Sequence, residues 1–304
     1  MTSKKDLASW AAWLQLIEKR SNKEIAEILK ISRLRVPNLV SWAEKNKLAS
    51  ISIEAPSDVD WLLSDRLRER FGLVEVLVSS QPSLINVSRL AARYVCEVLT
   101  EGGLLGIAWG TGIQSMVTQI ARLPNVPQCD VVQLIGGLPE AETTWHATEL
   151  LVNLSDMMRG RAAALLSPMI LPDAQTAIGM RAEPSIADVF NLMQTLSVAV
   201  VGIGAWESGG SRVRAELATK DARRTEDVVA DVCGVLINAH GQVVHKEISA
   251  RIMSIDELTL RASPVRLGIA IGEQKVAAIH ATLTSGMLSV LCTDRPTAKL
   301  LLQN

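Results

Sequence analysis

A glycine-rich turn follows the apolar segment Leu104 to Trp109. The turn reads Gly110-Thr111-Gly112 and leads directly into the helical pattern Ile113 to Leu123. A strand that passes through such a turn into a helix leaves backbone N–H groups and one hydroxyl at the positive helix end, where an oxyanion can bind. Because glycines also serve tight strand-to-helix packing, both phosphate binding and packing are interpretations of this turn.

Two phosphate motifs are absent from this turn. No Gly-Lys-Ser/Thr follows it, which excludes a P-loop, and Ser115 stands where a dinucleotide fingerprint has its third glycine. Asp130 lies about twenty residues on, as a ribose-binding acid would, but it begins a predicted strand rather than ending one. We therefore predict neither a nicotinamide nor a flavin cofactor.

Other apolar segments also end in glycines. They are followed by Gly136-Gly137, by Gly202-Ile203-Gly204-Ala205 and by Gly272-Glu273-Gln274-Lys275. Ligands of open α/β sheets bind beyond the carboxyl ends of the strands, so we expect these turns to surround one site. Asp231 and Lys275 are the charged residues beside such apolar runs. An acid for hydroxyls and a base for anionic charge suit a sugar phosphate, while a structural Asp–Lys ion pair is the alternative.

Signals for catalysis and for metal binding are weak. The four histidines show no pair at helical ligand spacing, no Gly-x-Ser-x-Gly elbow occurs, and the segment Ser208 to Ser211 is typical of a flexible loop. We predict neither catalytic residues nor a metal site. Trp109 and Trp206 each lie beside a glycine turn, where they stack on a sugar or belong to the core.

Apolar strands and amphipathic helices alternate through most of the chain, which predicts an α/β fold with a Rossmann-like parallel sheet covered on both faces. The predicted strands are Val74–Val78, Leu104–Trp109, Val131–Ile135, Ala162–Leu166, Val198–Ile203, Val228–Ile237, Val265–Ile271 and Leu288–Cys292. The predicted helices are Leu84–Thr100, Ile113–Leu123, Thr144–Arg159, Ile186–Leu196, Gln274–Leu283 and Pro296–Leu301.

The first 53 residues differ from the rest in pattern and in charge. They read as three helices and a short wing strand from Leu48 to Ile53, with Leu7, Trp10, Ala11, Leu14 and Ile17 on the core face of the first helix. They hold ten basic and five acidic residues, a net charge of +5, while residues 54–304 carry 21 basic and 27 acidic residues. We predict a winged helix-turn-helix domain at 1–53 and a larger effector-binding and oligomerisation domain at 54–304, joined at Glu54 to Ser57.

The third helix has the features of a recognition helix. Ser32 is its predicted cap, Val36, Leu39, Val40 and Ala43 form its apolar stripe, and Arg33, Leu34, Arg35 and Asn38 lie outside that stripe. We expect Ser32 and these four residues to contact DNA. A small helical bundle for protein contacts is the alternative. Lys30 stands where a turn usually has glycine, and Pro37 lacks an N–H inside the helix, so we expect the helix to bend or to begin late.

Composition limits the class of protein further. No apolar run reaches the eighteen or so residues that a bilayer span needs, and the four cysteines show no Cys-x-x-Cys pair. We expect a cytoplasmic protein with reduced thiols and no membrane partner. The amphipathic segment Trp61 to Phe71 is equally suited to a dimer contact and to packing on its own domain.

Six motifs in order give the chain a resemblance to the SorC family of bacterial sugar-responsive transcriptional regulators. After the helix-turn-helix they read Leu-Gly-Ile-Ala-Trp-Gly-Thr, Val-Val-Gln-Leu-Ile-Gly-Gly-Leu, Val-Ala-Val-Val-Gly-Ile-Gly, Asp-Val-Cys-Gly, Gly-Glu-Gln-Lys-Val-Ala-Ala-Ile and Val-Leu-Cys-Thr-Asp-Arg-Pro-Thr-Ala. Gly112, in place of a common second threonine, departs from the family pattern, as do Glu273 and Pro37-Asn38.

The resemblance implies an effector domain with the fold of sugar-phosphate isomerases that binds without turnover. It also implies a dimer or tetramer whose affinity for double-stranded operator DNA changes with a phosphorylated sugar, polyol or related carbohydrate. The pocket residues that it implies are Gly110, Thr111, Gly112, Gln133, Gly136, Gly137, Asp231 and Lys275. An isomerase-like enzyme with an appended helical module and a protein-interaction adaptor are the alternative functions.

Overall fold

The computed structural model describes residues 3–49, 58–137, 147–217, 221 and 223–303. Its contacts divide the chain into two compact units, Met1–Pro56 and Ser57–Asn304. The predicted linker and most of the predicted wing strand lie outside the described residues, and Leu48 and Ala49 form a turn. Within the described ranges, no helix is both long and apolar enough to cross a membrane.

Three helices form the first unit: α1 (Lys4–Leu16), α2 (Asn22–Leu29) and α3 (Arg35–Lys45). Serines at the N-caps of α1 and α2 each form a capping box with an acid three residues on, which satisfies two otherwise unpaired N–H groups per helix. The buried apolar residues make one core: Ala8, Ala11, Ala12, Leu14, Ile25, Ala26, Val36, Leu39, Val40 and Ala43.

The core face of α1 differs from the prediction. Trp10 is 53% exposed and Ile17 is 66% exposed, while Ala8 and Ala12 are buried in their place. Alanines let α1 approach its neighbours closely, and a large indole at the contact would hold the helices apart. Ala11 and Leu14 are buried as predicted and Leu7 packs against this core, so the prediction is wrong only at Trp10 and Ile17.

The start of α3 also corrects the sequence analysis. Ser32 does not cap the helix through its side chain; the N-cap is Leu34, without a side-chain hydrogen bond, and the Ser32 carbonyl accepts a hydrogen bond from the Arg35 N–H. The helix begins only at Arg35, which confirms the late start expected from Pro37. Pro37 is then its third residue, where an N–H has no intrahelical partner in any case. Lys30 ends α2 in the left-handed region at φ 53°, which costs about 1–2 kcal/mol relative to glycine.

The second unit contains eleven strands among the described residues. In chain order they are β1 (Glu75–Ser79), β2 (Gly103–Ile107), β3 (Cys129–Gln133), β4 (Ala162–Ala163), β5 (Val198–Gly202), β6 (Gly204–Ala205), β7 (Val228–Val232), β8 (Val235–Asn238), β9 (Val243–Val244), β10 (Val265–Ile269) and β11 (Val290–Asp294). Seven of them form a parallel sheet in the order β1-β11-β10-β5-β2-β3-β4. All five residues of β11 are buried, so both faces of the sheet are covered there.

Helices flank this sheet. Those described are α4 (Trp61–Phe71), α5 (Leu84–Val98), α6 (Thr111–Ile120), α7 (Ala147–Met157), α8 (Ala174–Ala182), α9 (Pro184–Met193), α10 (Arg212–Glu216), α11 (Lys246–Ser249), α12 (Glu257–Ala262), α13 (Val276–Thr284) and α14 (Arg295–Gln303), with a 3₁₀ turn at Glu273–Lys275. The α/β class with a Rossmann-like parallel sheet is confirmed. The four cysteines are free thiols.

The strand order reverses at the neighbouring strands β2 and β5. From β2 the chain continues outward through β3 to β4, whereas from β5 it continues through β10 and β11 in the opposite direction. The connections that leave the two carboxyl ends therefore diverge and open a crevice between them, which is where open α/β sheets bind ligands.

The predicted single strand Val228 to Ile237 is wrong. The segment is a hairpin of β7 and β8, in which Cys233 and Gly234 both have positive φ, at 49° and 80°. A two-residue turn with positive φ at both positions matches the twist of a hairpin. Together with β6 and β9 it forms an antiparallel four-stranded sheet in the order β6-β7-β8-β9, so that Asp231 belongs to a strand of this second sheet.

Candidate functional site

A cavity of about 690 Å³ lies beyond the carboxyl ends of the central strands β3, β2, β5 and β10. Its volume falls in the range of small-molecule sites. Six of the eight effector-site residues predicted from the sequence line it: Gly110, Thr111, Gly112, Gly137, Asp231 and Lys275. The structure thus brings together residues that are up to 165 positions apart in the chain.

The turn after β2 presents backbone N–H groups at one wall of the cavity. Gly110 has φ 144° and ψ 159°, a conformation that is essentially restricted to glycine. The first bond of α6 runs from the Gln114 N–H to the Gly110 carbonyl, so that the N–H groups of Thr111, Gly112 and Ile113 precede it at the positive end of a ten-residue helix. Backbone donors and the Thr111 hydroxyl therefore converge on one wall.

Close packing is a second reason for glycine at position 112. A Cβ at this position would lie 3.0 Å from the Ile269 Cγ2 atom at the end of β10. That separation is tighter than ordinary van der Waals contact, so a second threonine here would push Ile269 out of place. The departure from the family pattern at Gly112 is consistent with the close contact between α6 and β10.

Asp231 supplies a buried carboxylate to the cavity. Its residue is 6% exposed, and Oδ1 has no hydrogen-bond partner among the described residues. Burial raises the pKa of Asp231 above its usual value, while hydrogen bonds with Ser211 and the Gly234 backbone and the charge of Lys275 oppose that shift. Gly204 faces Asp231 across the β6–β7 pair, and a Cβ there would overlap Oδ1. Glycine at position 204 is therefore required by the close packing of Asp231 Oδ1 against the β6 backbone.

Lys275 closes the cavity from the 3₁₀ turn. Its Nζ donates to the Ile203 carbonyl at 3.0 Å, and no ion pair within 4.0 Å joins it to Asp231 in the described structure. Burial lowers the pKa of Lys275, and the nearby Asp231 opposes the shift. The simple structural ion pair considered above is therefore not the arrangement found, because each charged group keeps its own position on the wall.

Gln133 and Gly136 are not among the cavity-lining residues. Gln133 is 3% exposed, and its Nε2 donates to the Ile135 carbonyl at 2.6 Å while Oε1 has no partner in the part of the chain described. A Cβ on Gly136 would lie 2.7 Å from the Ser167 carbonyl oxygen, which shows a packing requirement. Direct contact of these two residues with a ligand stays a prediction.

Trp109 and Trp206 lie in different environments. Trp206 is 1% exposed and belongs to the core. Trp109 is partly buried and lines the cavity, and its Nε1 donates to the Gly136 carbonyl at 3.0 Å. The hydrogen bond fixes the indole plane against the wall, so that Trp109 is the one of the pair that can meet a ligand.

Sequence reasoning missed Arg212. This residue lines the cavity from the first position of α10, where Ser211 separates it from the glycines Gly209 and Gly210. The signal that could have found it is its position in the chain, since the loop that ends at Arg212 follows the glycines at the carboxyl end of β5. Within the described ranges, no group of three or more histidine, cysteine, aspartate or glutamate side chains is arranged to hold a metal ion.

The first unit presents a separate polar surface at the start of α3. Ser32, Arg33, Leu34, Arg35 and Asn38 are all exposed, and Leu34 reaches 85% exposure. Asn38 Nδ2 approaches the Leu34 carbonyl at 3.5 Å. An exposed helix start with two arginines, preceded by a tight turn from another helix, has the geometry of a helix-turn-helix motif.

A helix-turn-helix unit joined in one chain to a doubly wound sheet with a ligand-sized cavity at its switch point defines a ligand-controlled DNA-binding protein. The comparisons agree with this class. The sugar-binding domain family model matches residues 58–303. The chain belongs to this family, and the resemblance to SorC-type transcriptional regulators is confirmed.

Individual relatives cover nearly the whole chain. The sorbitol operon regulator of Klebsiella pneumoniae is 26% identical over 290 residues, 92% of each chain, and the deoxyribonucleoside regulator of Bacillus subtilis is 25% identical over 310 residues, 99% of this chain and 98% of that one. The crystal structure of full-length SorC from Klebsiella pneumoniae matches with a TM-score of 0.74 at 25% identity and covers 97% of this chain and 98% of that chain. These names favour a sugar-responsive regulator over an isomerase-like enzyme.

Proposed function

We propose that a phosphorylated sugar or polyol binds in the cavity and changes the affinity of the first unit for double-stranded operator DNA. The supporting observation is that one cavity is lined both by backbone N–H donors and by a buried carboxylate. The start of α6 offers N–H donors suited to a phosphate, and the Asp231 carboxylate on the cavity wall is suited to accept a hydrogen bond from a sugar hydroxyl. Relatives named for a sorbitol operon and for deoxyribonucleosides support a carbohydrate-type effector.

In this proposal one compact unit binds DNA and the other binds the effector. Residues 3–49 contact operator DNA through Ser32, Arg33, Leu34, Arg35 and Asn38, and the second unit binds the effector through Gly110, Thr111, Gly112, Gly137, Asp231 and Lys275, with Gln133 and Gly136 in support. The excess of basic residues in the first unit attracts the DNA phosphates.

The test is a DNA-release titration in which the sugar is recovered and analysed. We expect the full chain to bind the DNA upstream of its own operon, and a phosphorylated sugar or polyol to change that affinity while the unphosphorylated parent does not. Binding without turnover leaves the compound chemically unchanged in NMR spectra. Isomerised product would favour the enzyme alternative, and failure to bind duplex DNA at low salt would favour the adaptor alternative.

We also propose that the functional form is at least a dimer. One recognition helix reads only a few base pairs, so an operator needs two half-sites about one helical turn apart or a multiple of it. Helix α4 exposes Trp61 at 62% and Leu62 at 71%, an apolar surface suited to self-association.

Sedimentation velocity on operator DNA is expected to show two or four chains per duplex, since each half-site takes one recognition helix. The same measurement on Trp61→Ser/Leu62→Ser chains is expected to show weaker assembly if α4 carries the contact. A strict monomer on the duplex would rule out the assembly as proposed.

A further inference from the structure

A second cavity, of about 210 Å³, lies between α9 and the segment that leads into α12. Among the described residues, none lines both this cavity and the effector cavity. Its volume is below that of typical drug-sized sites, which begin at about 300 Å³. It therefore suits a small ligand, and the proposed function does not use it.

Part of the lining of this second cavity is apolar. Met193 and Ile255 are each 1% exposed, and Ala187 and Phe190 of α9 are half-buried. Removing apolar ligand surface from water against such residues is favourable. A ligand of this cavity is therefore expected to carry a compact apolar group.

Arg181 supplies a positive charge to the same cavity. Its guanidinium carbon lies 4.4 Å from the Phe190 ring centroid, and Nη2 donates to the Ile252 carbonyl at 2.8 Å. Among the described residues, neither Nε nor Nη1 has a hydrogen-bond partner. Burial lowers the pKa of Arg181, but a guanidinium stays charged in proteins. Arg181 thus keeps N–H donors for a ligand carboxylate.

The backbone that holds Arg181 is itself fixed to the central sheet. The segment after Ile252 runs beside the end of β3, where the Gly136 N–H donates to the Met253 carbonyl at 2.7 Å and the Ile255 N–H donates to the Leu134 carbonyl at 2.8 Å. The guanidinium is therefore held by rigid structure, which lowers the cost of ordering it on a ligand.

Asp256 supplies a negative charge to the second cavity. It is exposed, and its two oxygens accept one hydrogen bond each from the Thr259 N–H and hydroxyl, at 2.8 and 2.9 Å. A carboxylate oxygen can accept a second bond. The charge of Asp256 opposes the lowering of the Arg181 pKa, yet no ion pair within 4.0 Å joins these two residues in the described structure. Opposite charges therefore line one small cavity without touching.

We propose that the second cavity binds an amino acid with an apolar side chain. Its carboxylate pairs with the remaining N–H groups of Arg181, and its ammonium group pairs with Asp256. The carboxyl end of α9, a ten-residue helix whose last residue Met193 lines the cavity, also favours a cation. A neutral sugar leaves both charges unused, and a simple anion is repelled by Asp256. This inference goes beyond the proposed function, since it concerns a different cavity.

The test is titration calorimetry of the full chain with L-leucine and L-methionine, each compared with two analogues that lack one charged group. For leucine these are 4-methylpentanoate and 3-methylbutylamine, and for methionine they are 4-(methylthio)butanoate and 3-(methylthio)propylamine. We expect at least one amino acid to bind about tenfold more tightly than both of its analogues, because each lost group removes a charge-assisted hydrogen bond. The inference is overturned if neither amino acid binds, or if an analogue binds as tightly as its parent.

Asp256→Asn locates the site, since asparagine keeps the helix cap and removes the charge. It is expected to weaken amino-acid binding about tenfold and not to weaken binding of the carboxylate analogue. Asp173→Asn is the matched control, because Asp173 caps α8 through the same 2.8 Å bond, to the Thr176 N–H, and lines neither cavity.

The control is expected to bind the amino acid normally, and both variants are expected to unfold at the temperature of the natural chain. Unchanged amino-acid binding by a folded Asp256→Asn chain would place the ligand elsewhere and overturn the inference. The response to a phosphorylated sugar is expected to be normal in both variants, so that failure of this inference and failure of the proposed function are distinguishable.

Discussion

Thr111→Val and Asp231→Asn are each expected to remove the response to the effector while operator binding stays near normal. Valine keeps the shape of Thr111 but lacks the hydroxyl at the positive end of α6. A hydrogen bond to a charged group is worth about 1.5–3 kcal/mol, so that effector affinity is expected to fall roughly 10- to 150-fold.

Asparagine at position 231 keeps the shape of the carboxylate and removes its charge. Burial already disfavours the charged form of Asp231, so the variant with a neutral amide is expected to fold normally. The expected loss is in effector affinity and in the favourable interaction of the carboxylate with the charge of Lys275. Lys275→Ala is a poorer test, since it removes the charge that stabilises the buried carboxylate.

The measurement for both variants is a DNA-release titration with a compound that releases the natural chain. Operator affinity without effector is the internal control, because residues 111 and 231 belong to the second unit, whereas the proposed DNA contacts belong to the first. Normal release of both variants would mean that the effector binds elsewhere.

The double variant Arg33→Ala/Arg35→Ala is expected to lose specific operator binding. Each arginine is exposed at the start of α3, and a base or phosphate contact of this kind is worth about 1–3 kcal/mol. The two changes together are expected to weaken binding at least 30-fold and to reduce the salt dependence by about two counterions. Gel-shift titrations at several salt concentrations measure both quantities.

A charge-matched control is available in the second unit. Arg66 and Arg93 are exposed, and neither has a hydrogen-bond or ion-pair partner in the described structure. Replacing both by alanine removes the same charge and is expected to leave the operator footprint unchanged. An unchanged footprint and affinity in the Arg33→Ala/Arg35→Ala chain would show that α3 is not the recognition helix.

Much of the cavity could be predicted from sequence because parallel strands end at one edge of a sheet. Once Leu104 to Trp109 and its counterparts are recognised as strands, the glycine turns that follow must lie close together. Asp231 lines the cavity for a different reason, because it lies on β7 of the antiparallel sheet. An unbroken apolar run hid the hairpin turn at Cys233-Gly234, where Asn-Gly would have been an ordinary signal.

Other features depended on tertiary contacts that a linear pattern does not contain. The exposed Trp10 and buried Ala8 follow from how closely α1 packs. Arg212 lines the cavity from the start of α10, which the buried Ser211 caps. In each case the residue type was visible, but its partner was far away in the chain or was set by backbone geometry.

The reversal of strand order between β2 and β5 has a consequence for how such a regulator diversifies. The lining of the cavity comes from several connections of the parallel sheet: the turn between β2 and α6, the long β5–β10 connection that contains the start of α10 and strand β7, and the 3₁₀ turn at Glu273–Lys275 after β10. Gene variants that alter one connection can change which compound is recognised while the buried strands keep their packing. Ligand choice can thus evolve in small steps, and the proposed DNA-contacting residues, which lie in the other compact unit, need not change with it.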